Sequence, residues 1–89
     1  MRADYSISNG KDNILLETVQ LQVRHDVIAK YKECRKSQKI TQTELARRTG
    51  ISQPNITRFE SGNYNPSLEM MVRIATALGM ELDVQLVEK

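Results

Sequence analysis

Apolar residues recur along the chain with two different periods, and the change of period divides it into elements. Between Asp26 and Lys36, Ile28, Tyr31 and Arg35 share one helical face, while Lys30, Lys32, Glu33 and Lys36 occupy the others. Leu68, Met71, Val72, Ile74, Ala75 and Leu78 repeat at the same spacing and are expected to face inward on a second amphipathic helix. Beyond Gly79 the period drops to two. Met80, Leu82, Val84 and Leu86 alternate with Glu81, Asp83 and Gln85, which predicts a short half-buried strand. Upstream, Leu15, Val19 and Val23 are spaced as on a helix, while Val19, Leu21 and Val23 alternate as in a strand; helix is the preferred reading. Residues 1–12 are polar and hold Asn9-Gly10, a tight-turn dipeptide, so they are expected to be loosely ordered.

Helix boundaries are marked by particular residues. Thr41-Gln42-Thr43-Glu44 matches a capping box, in which the Thr hydroxyl accepts the N–H three residues on and the Glu carboxylate returns to the Thr N–H. A helix therefore starts at Gln42, and Gly50 ends it in the left-handed conformation that glycine adopts cheaply. Ser52 is placed to cap the next helix, with Pro54 in the first turn, where a missing N–H breaks no intrahelical bond. That helix should run to about Ser61. Asn63-Tyr64-Asn65-Pro66 reads as a loop, Ser67 as the cap of the following helix and Gly79 as its stop.

The C-terminal strand has no convincing partner in the sequence. It should pair with its copy in another subunit through Leu82, Val84 and Leu86 or, less favourably, with Tyr5–Ser8. Small size points the same way, since 89 residues make one domain of modest core. Cys34 is alone and cannot form an intrachain disulfide, and no Cys/His cluster has zinc spacing, so no metal or cofactor is expected. His25 lacks a second histidine, Cys34 reads as a reduced packing residue, and Met70, Met71 and Met80 read as core filler. No signal-peptide stretch or membrane span is apparent, which makes a cytoplasmic protein the expectation.

Net charge is only +2, but residues 24–65 hold nine Lys/Arg against four acids, while both flanks are acidic. A basic middle suits a polyanion such as double-stranded DNA. The same segment contains two short helices around a glycine turn, the helix-turn-helix arrangement whose second helix enters the major groove. Ala46 is small at the crossing, and Leu45, Ile51, Ile56 and Phe59 face the core. At 100° per residue, Pro54, Thr57, Arg58 and Ser61 lie on the opposite side, with Gln53 projecting from the N-terminal end.

The stretch TQTELARRTGISQPNITRFESGNYNPSLEMMVRIATALG closely resembles the Cro/C1, or XRE, helix-turn-helix family, with Thr57 in place of its usual Ser. The resemblance implies an all-α, lambda-repressor-like domain of four to five helices over residues 25–79; the pattern of the chain adds a partly helical N-terminal extension at 1–24 and a dimerisation strand at 80–89. The resemblance also implies that Gln53, Pro54, Thr57 and Arg58 meet bases, and that Thr41, Gln42, Asn55, Ser61 and Asn63 hold phosphates. The family's Arg–Glu pair maps to Arg35 and Glu60, a structural ion pair locking the first helix to the third. The Leu-Gly ending followed by an alternating strand resembles antitoxins of the HigA and HipB type.

Two function classes follow. One is a sequence-specific repressor, binding a palindromic operator as a homodimer, either free-standing or as the antitoxin of a toxin protein. The other is a protein-interaction module of the same fold, gripping a partner through residues 1–24 and the C-terminal strand. With no catalytic constellation or evident ligand pocket, an enzyme is not expected.

Overall fold

A computed structural model describes residues 10–88, with side chains from Leu15 onward. Four helices follow in order: α1 (Gly10–Ser37), α2 (Gln42–Thr49), α3 (Gln53–Glu60) and α4 (Leu68–Ala77). The all-α class expected from the sequence holds, with no strand among the described residues.

Ile14–Val23 is helical, and it joins the Asp26–Lys36 segment in one uninterrupted helix of 28 residues. Residues 10–12 form the first turn of that helix, so the loosely ordered reading is corrected there. No proline or glycine interrupts the helix after Gly10, so each backbone bond formed adds to the ladder at little further cost. The expectation for residues 1–9, including the Tyr5–Ser8 pairing, lies outside the described residues.

The ends of α1 and α4 are built alike. Ile40 N donates to Arg35 O at 3.1 Å and Lys39 N to Lys36 O at 2.9 Å; Met80 N donates to Ala75 O at 2.9 Å and Gly79 N to Thr76 O at 3.0 Å. Both are Schellman closures that satisfy carbonyls left over at a helix end. Gly79 takes the left-handed position of the second at φ 72, whereas Lys39 holds that position in the first at φ 58. Lysine carries a Cβ penalty there, which the burial of the following Ile40 offsets.

Thr41 and Ser67 cap α2 and α4 with their hydroxyls, accepting from Glu44 N at 3.0 Å and Met70 N at 3.1 Å. Only half of the expected capping box forms, because the Glu44 carboxylate turns outward to Arg47 and Arg48. Ser52 makes no side-chain cap; its carbonyl instead accepts from Asn55 N and Ile56 N, both at 3.0 Å.

The core gathers residues from all four helices: Ile28 and Tyr31 of α1, Leu45 of α2, Ile56 and Phe59 of α3, and Ile74 and Ala75 of α4, with Ile40 and Leu78 closing its ends. Tyr31 meets Phe59 edge-on, with ring centroids 5.2 Å apart and planes at 78°. The Tyr31 hydroxyl donates to Met71 O at 2.9 Å, so the ring can be buried without orphaning its polar end. That burial pushes the phenol above its usual pKa. Phe59, Leu45, Ile56 and Ile74 are the largest fully buried side chains, each contributing about 1.5–3 kcal/mol relative to exposure.

Several inward assignments are corrected. Leu68 and Val72 are 62% and 46% exposed, because α4 turns only the stripe through Met71, Ile74, Ala75 and Leu78 toward the core. Met80 is exposed rather than filler. Residues 80–88 form no strand: Leu82 packs against this chain's own core, while Val84 and Leu86 are 69% and 99% exposed. A strand exists only where a second strand meets its N–H and C=O groups, and no other described segment of this chain does so.

Candidate nucleic-acid interface

The helix pair α2–α3 carries the residues singled out for DNA. Gly50 turns the chain between them at φ 75, its N–H donating to Ala46 O at 2.9 Å. Thr49 reinforces the turn, since its hydroxyl donates to Leu45 O at 2.8 Å and accepts from Ile51 N at 3.1 Å. With Ile56 and Phe59 locked into the core, helical geometry leaves Gln53, Pro54, Asn55, Thr57 and Arg58 on the outer side, and all five are exposed.

Glu60 is the acid on this helix, and it is withdrawn from the surface. Arg35 Nε donates to Glu60 Oε2 at 2.7 Å and Nη2 to Oε1 at 2.9 Å, with side chains only 10% and 4% exposed. The third guanidinium nitrogen, Nη1, donates to Ile40 O at 2.7 Å, so this arginine also ties the α1–α2 turn. A bidentate pair of this kind is directional as well as attractive, and it fixes the rotation of α3 against α1. The solvent face of α3 is left without an exposed carboxylate.

The proposed contact residues are not independent of one another. Gln42, at the start of α2, donates from Nε2 to Glu60 Oε1 at 3.1 Å and accepts at Oε1 from the Thr57 hydroxyl at 2.8 Å. Ser61 accepts from Asn63 N at 3.1 Å and donates to Arg58 O at 2.6 Å, tying down the turn after α3. Thr41 is exposed beside Gln42 as the α2 cap.

Sequence reasoning missed Tyr64. The Arg58 guanidinium sits over its ring, 5.9 Å from the centroid, which limits where that long side chain can swing. An aromatic in the Asn63–Pro66 loop was visible, but its approach to Arg58 depends on the turn made by Ser61 and Gly62. Nor did the charge count anticipate that Glu44 would engage both Arg47 and Arg48, partly offsetting the basic charge of α2.

The other singled-out residues are accounted for by packing. The His25 ring lies against Gly62, where a Cβ would stand 2.7 Å from its Cδ2. Cys34 is a free, half-buried thiol bordering the core and accepting from Gln38 Nε2 at 3.3 Å. Among the described residues no group of His, Cys, Asp and Glu is arranged to hold a metal, and no helix is long and apolar enough to cross a membrane.

Comparison with known proteins agrees with this geometry. Residues 32–85 match the family model described as Helix-turn-helix. An HTH-type transcriptional regulator of Methanothermobacter thermautotrophicus is 48% identical over 50 residues, covering 56% of this chain and 72% of that protein. The HTH-type transcriptional regulator YqaE of Bacillus subtilis is 36% identical over 52 residues, 58% of this chain and 45% of that one. The immunity repressor protein of Bacillus phage phi105 is 37% identical over 51 residues, 57% of this chain and 35% of that one. The chain thus spans less than half the length of the Bacillus subtilis and phage phi105 relatives. A chain from a toxin–antitoxin module of Streptococcus pneumoniae superposes with a TM-score of 0.66 at 25% identity, over 96% of this chain and 100% of that one. This chain belongs to the helix-turn-helix family of Cro/C1 type, the DNA-binding transcriptional regulators.

Proposed function

We propose that the chain is a cytoplasmic, sequence-specific repressor that binds a palindromic operator as a homodimer. The observation carrying this reading is the acid-free outer face of α3, kept so by the burial of Glu60 against Arg35. On that face Arg58 and Gln53 have the donor and acceptor sets that match guanine and adenine edges, and Pro54 can lie on a thymine methyl. Thr41, Gln42, Asn55, Ser61 and Asn63 flank them as phosphate-binding groups that set register. Val84 and Leu86, exposed on a segment without a strand partner among the described residues, are the apolar groups a second copy would cover, with Leu82 at the edge of the same seam. Two α3 helices about 34 Å apart would then enter successive major grooves.

A second role as antitoxin is favoured by one observation: the likeness to the Streptococcus pneumoniae chain extends over nearly the whole molecule, well beyond the helix-turn-helix itself. In that reading the chain binds a toxin protein as well as DNA.

A shift assay on DNA upstream of the coding sequence tests the main reading. Binding should be selective and should weaken steeply between low and physiological salt, as counterions released from phosphates require. Arg58→Ala should relax preference at one base pair, whereas Gln42→Ala should weaken every site. Equal binding by the parent to unrelated duplexes would overturn the proposal.

A further inference from the structure

What a hydroxyl can read on DNA depends on where its single proton already points. Thr57 is exposed on α3, and its Oγ1 donates to Gln42 Oε1 at 2.8 Å. That direction is imposed from inside the protein. Gln42 Nε2 stands 3.1 Å from Glu60 Oε1. The same carboxylate oxygen is clasped by Arg35 Nη2 at 2.9 Å. A carboxylate only accepts, so the nitrogen of the Gln42 amide must face Glu60 and its oxygen must face Thr57. The Thr57 proton is thereby committed to Gln42, and only oxygen lone pairs remain for an outside partner.

Resting on the reading of α3 as the helix in the major groove, we infer that Gln42 fixes Thr57 as a hydrogen-bond acceptor, so that Thr57 selects a base whose exocyclic amine faces that groove, adenine or cytosine. In the major groove adenine N6 and cytosine N4 donate, whereas guanine O6 and N7 and thymine O4 only accept. A threonine with a freely rotating hydroxyl suits either kind of edge. One whose proton is already engaged meets guanine or thymine oxygen with two acceptors face to face. Gln42 is then a positioning residue for specificity in addition to its phosphate role, and Thr57 is the group that touches the base.

Selection from a randomised duplex pool by the parent, Thr57→Ser and Thr57→Val tests this. Thr57 is exposed, so neither substitution disturbs the core. The parent should enrich one base pair in each half-site that Thr57→Ser keeps and Thr57→Val loses, by about five- to tenfold. The amine of that pair is then removed, with purine replacing adenine or pyrimidin-2-one replacing cytosine. The parent should weaken by the same factor and Thr57→Val should not respond. Gln42→Ala should add, to its general loss of affinity, tolerance of guanine or thymine at that position. The inference alone is overturned if Thr57→Val abolishes no preference, or if removing the amine leaves the parent's affinity unchanged. A parent that enriches no sequence overturns the DNA reading as well.

Discussion

Arg35 and Glu60, 25 residues apart in sequence, form a bidentate ion pair at 2.7 and 2.9 Å that joins the long first helix to the helix proposed to read DNA. The pair is almost fully enclosed, so its two members depend on each other for solvation. Arg35→Ala or Glu60→Gln should each cost about 3–5 kcal/mol, since either leaves the other partner buried without its match. Arg35→Met with Glu60→Leu should cost less than the single changes. Urea denaturation of the four proteins measures this, and unchanged midpoints in both single variants would show that the pair carries no stability.

Lys39 occupies the left-handed closing position of α1 that Gly79 occupies in α4. Its side chain is exposed, and a glycine there would keep the burial of Ile40 without the Cβ penalty. Lys39→Gly should therefore stabilise the protein by about 0.5–1 kcal/mol, and Gly79→Ala should destabilise it by about 1 kcal/mol. Thermal unfolding of the two variants should shift in opposite directions; a shift in the same direction refutes this account of the two helix ends.

Glu44 accepts from Arg47 Nε at 3.0 Å and from Arg48 Nε at 2.9 Å. The Arg47 bond first, and then the Arg48 bond, hold its carboxyl down to about 2 from an ordinary value of 4.5. A carboxylate depressed by folding contributes stability that is fully present above its unfolded value and is lost as pH falls through the folded one. The Glu44 contribution should therefore fade between pH 4.5 and about 2. It should be absent in Glu44→Gln and weaker in high salt, as for any exposed pair. Carboxyl-carbon NMR titration should place the midpoint near 2, and a midpoint at the ordinary value would remove the basis for this pH dependence.

Tyr64 lies under the Arg58 guanidinium. If the ring holds Arg58 in its reading position, Tyr64→Leu should reduce selectivity about two- to fivefold at the base pair that Arg58→Ala relaxes, a factor in keeping with an exposed cation–π contact. Other positions should keep their preference. Binding-site selection by both variants is the measurement, and uniform weakening by Tyr64→Leu would assign the ring to general affinity instead.

Much of this molecule was legible from local chemistry. Thr41, Gly50, Ser67 and Gly79 mark helix ends because caps and stops involve residues three to five positions apart, a distance over which sequence order nearly is spatial order. Ile28, Tyr31, Ile56, Phe59 and Ile74 could be assigned to the core from period alone, and Gln53, Thr57 and Arg58 to the outer face. Arg35 and Glu60 were matched through the family resemblance, not through anything local to either residue.

Only the tertiary structure decided the rest, because the contacts concerned join residues distant in sequence. Gln42 meets Thr57 and Glu60 across 15 and 18 positions, and no spacing rule foretells which end of its amide faces which. Tyr64 reaches Arg58 only through the turn between them. Lys39 adopts a glycine's conformation because the buried Ile40 follows it. The alternation from Met80 to Leu86 expressed an ability to pair, and a strand also requires something to pair with. Local order thus determined the helices and their faces, while the relations between side chains on different helices came from their packing, since that alone sets distance and direction.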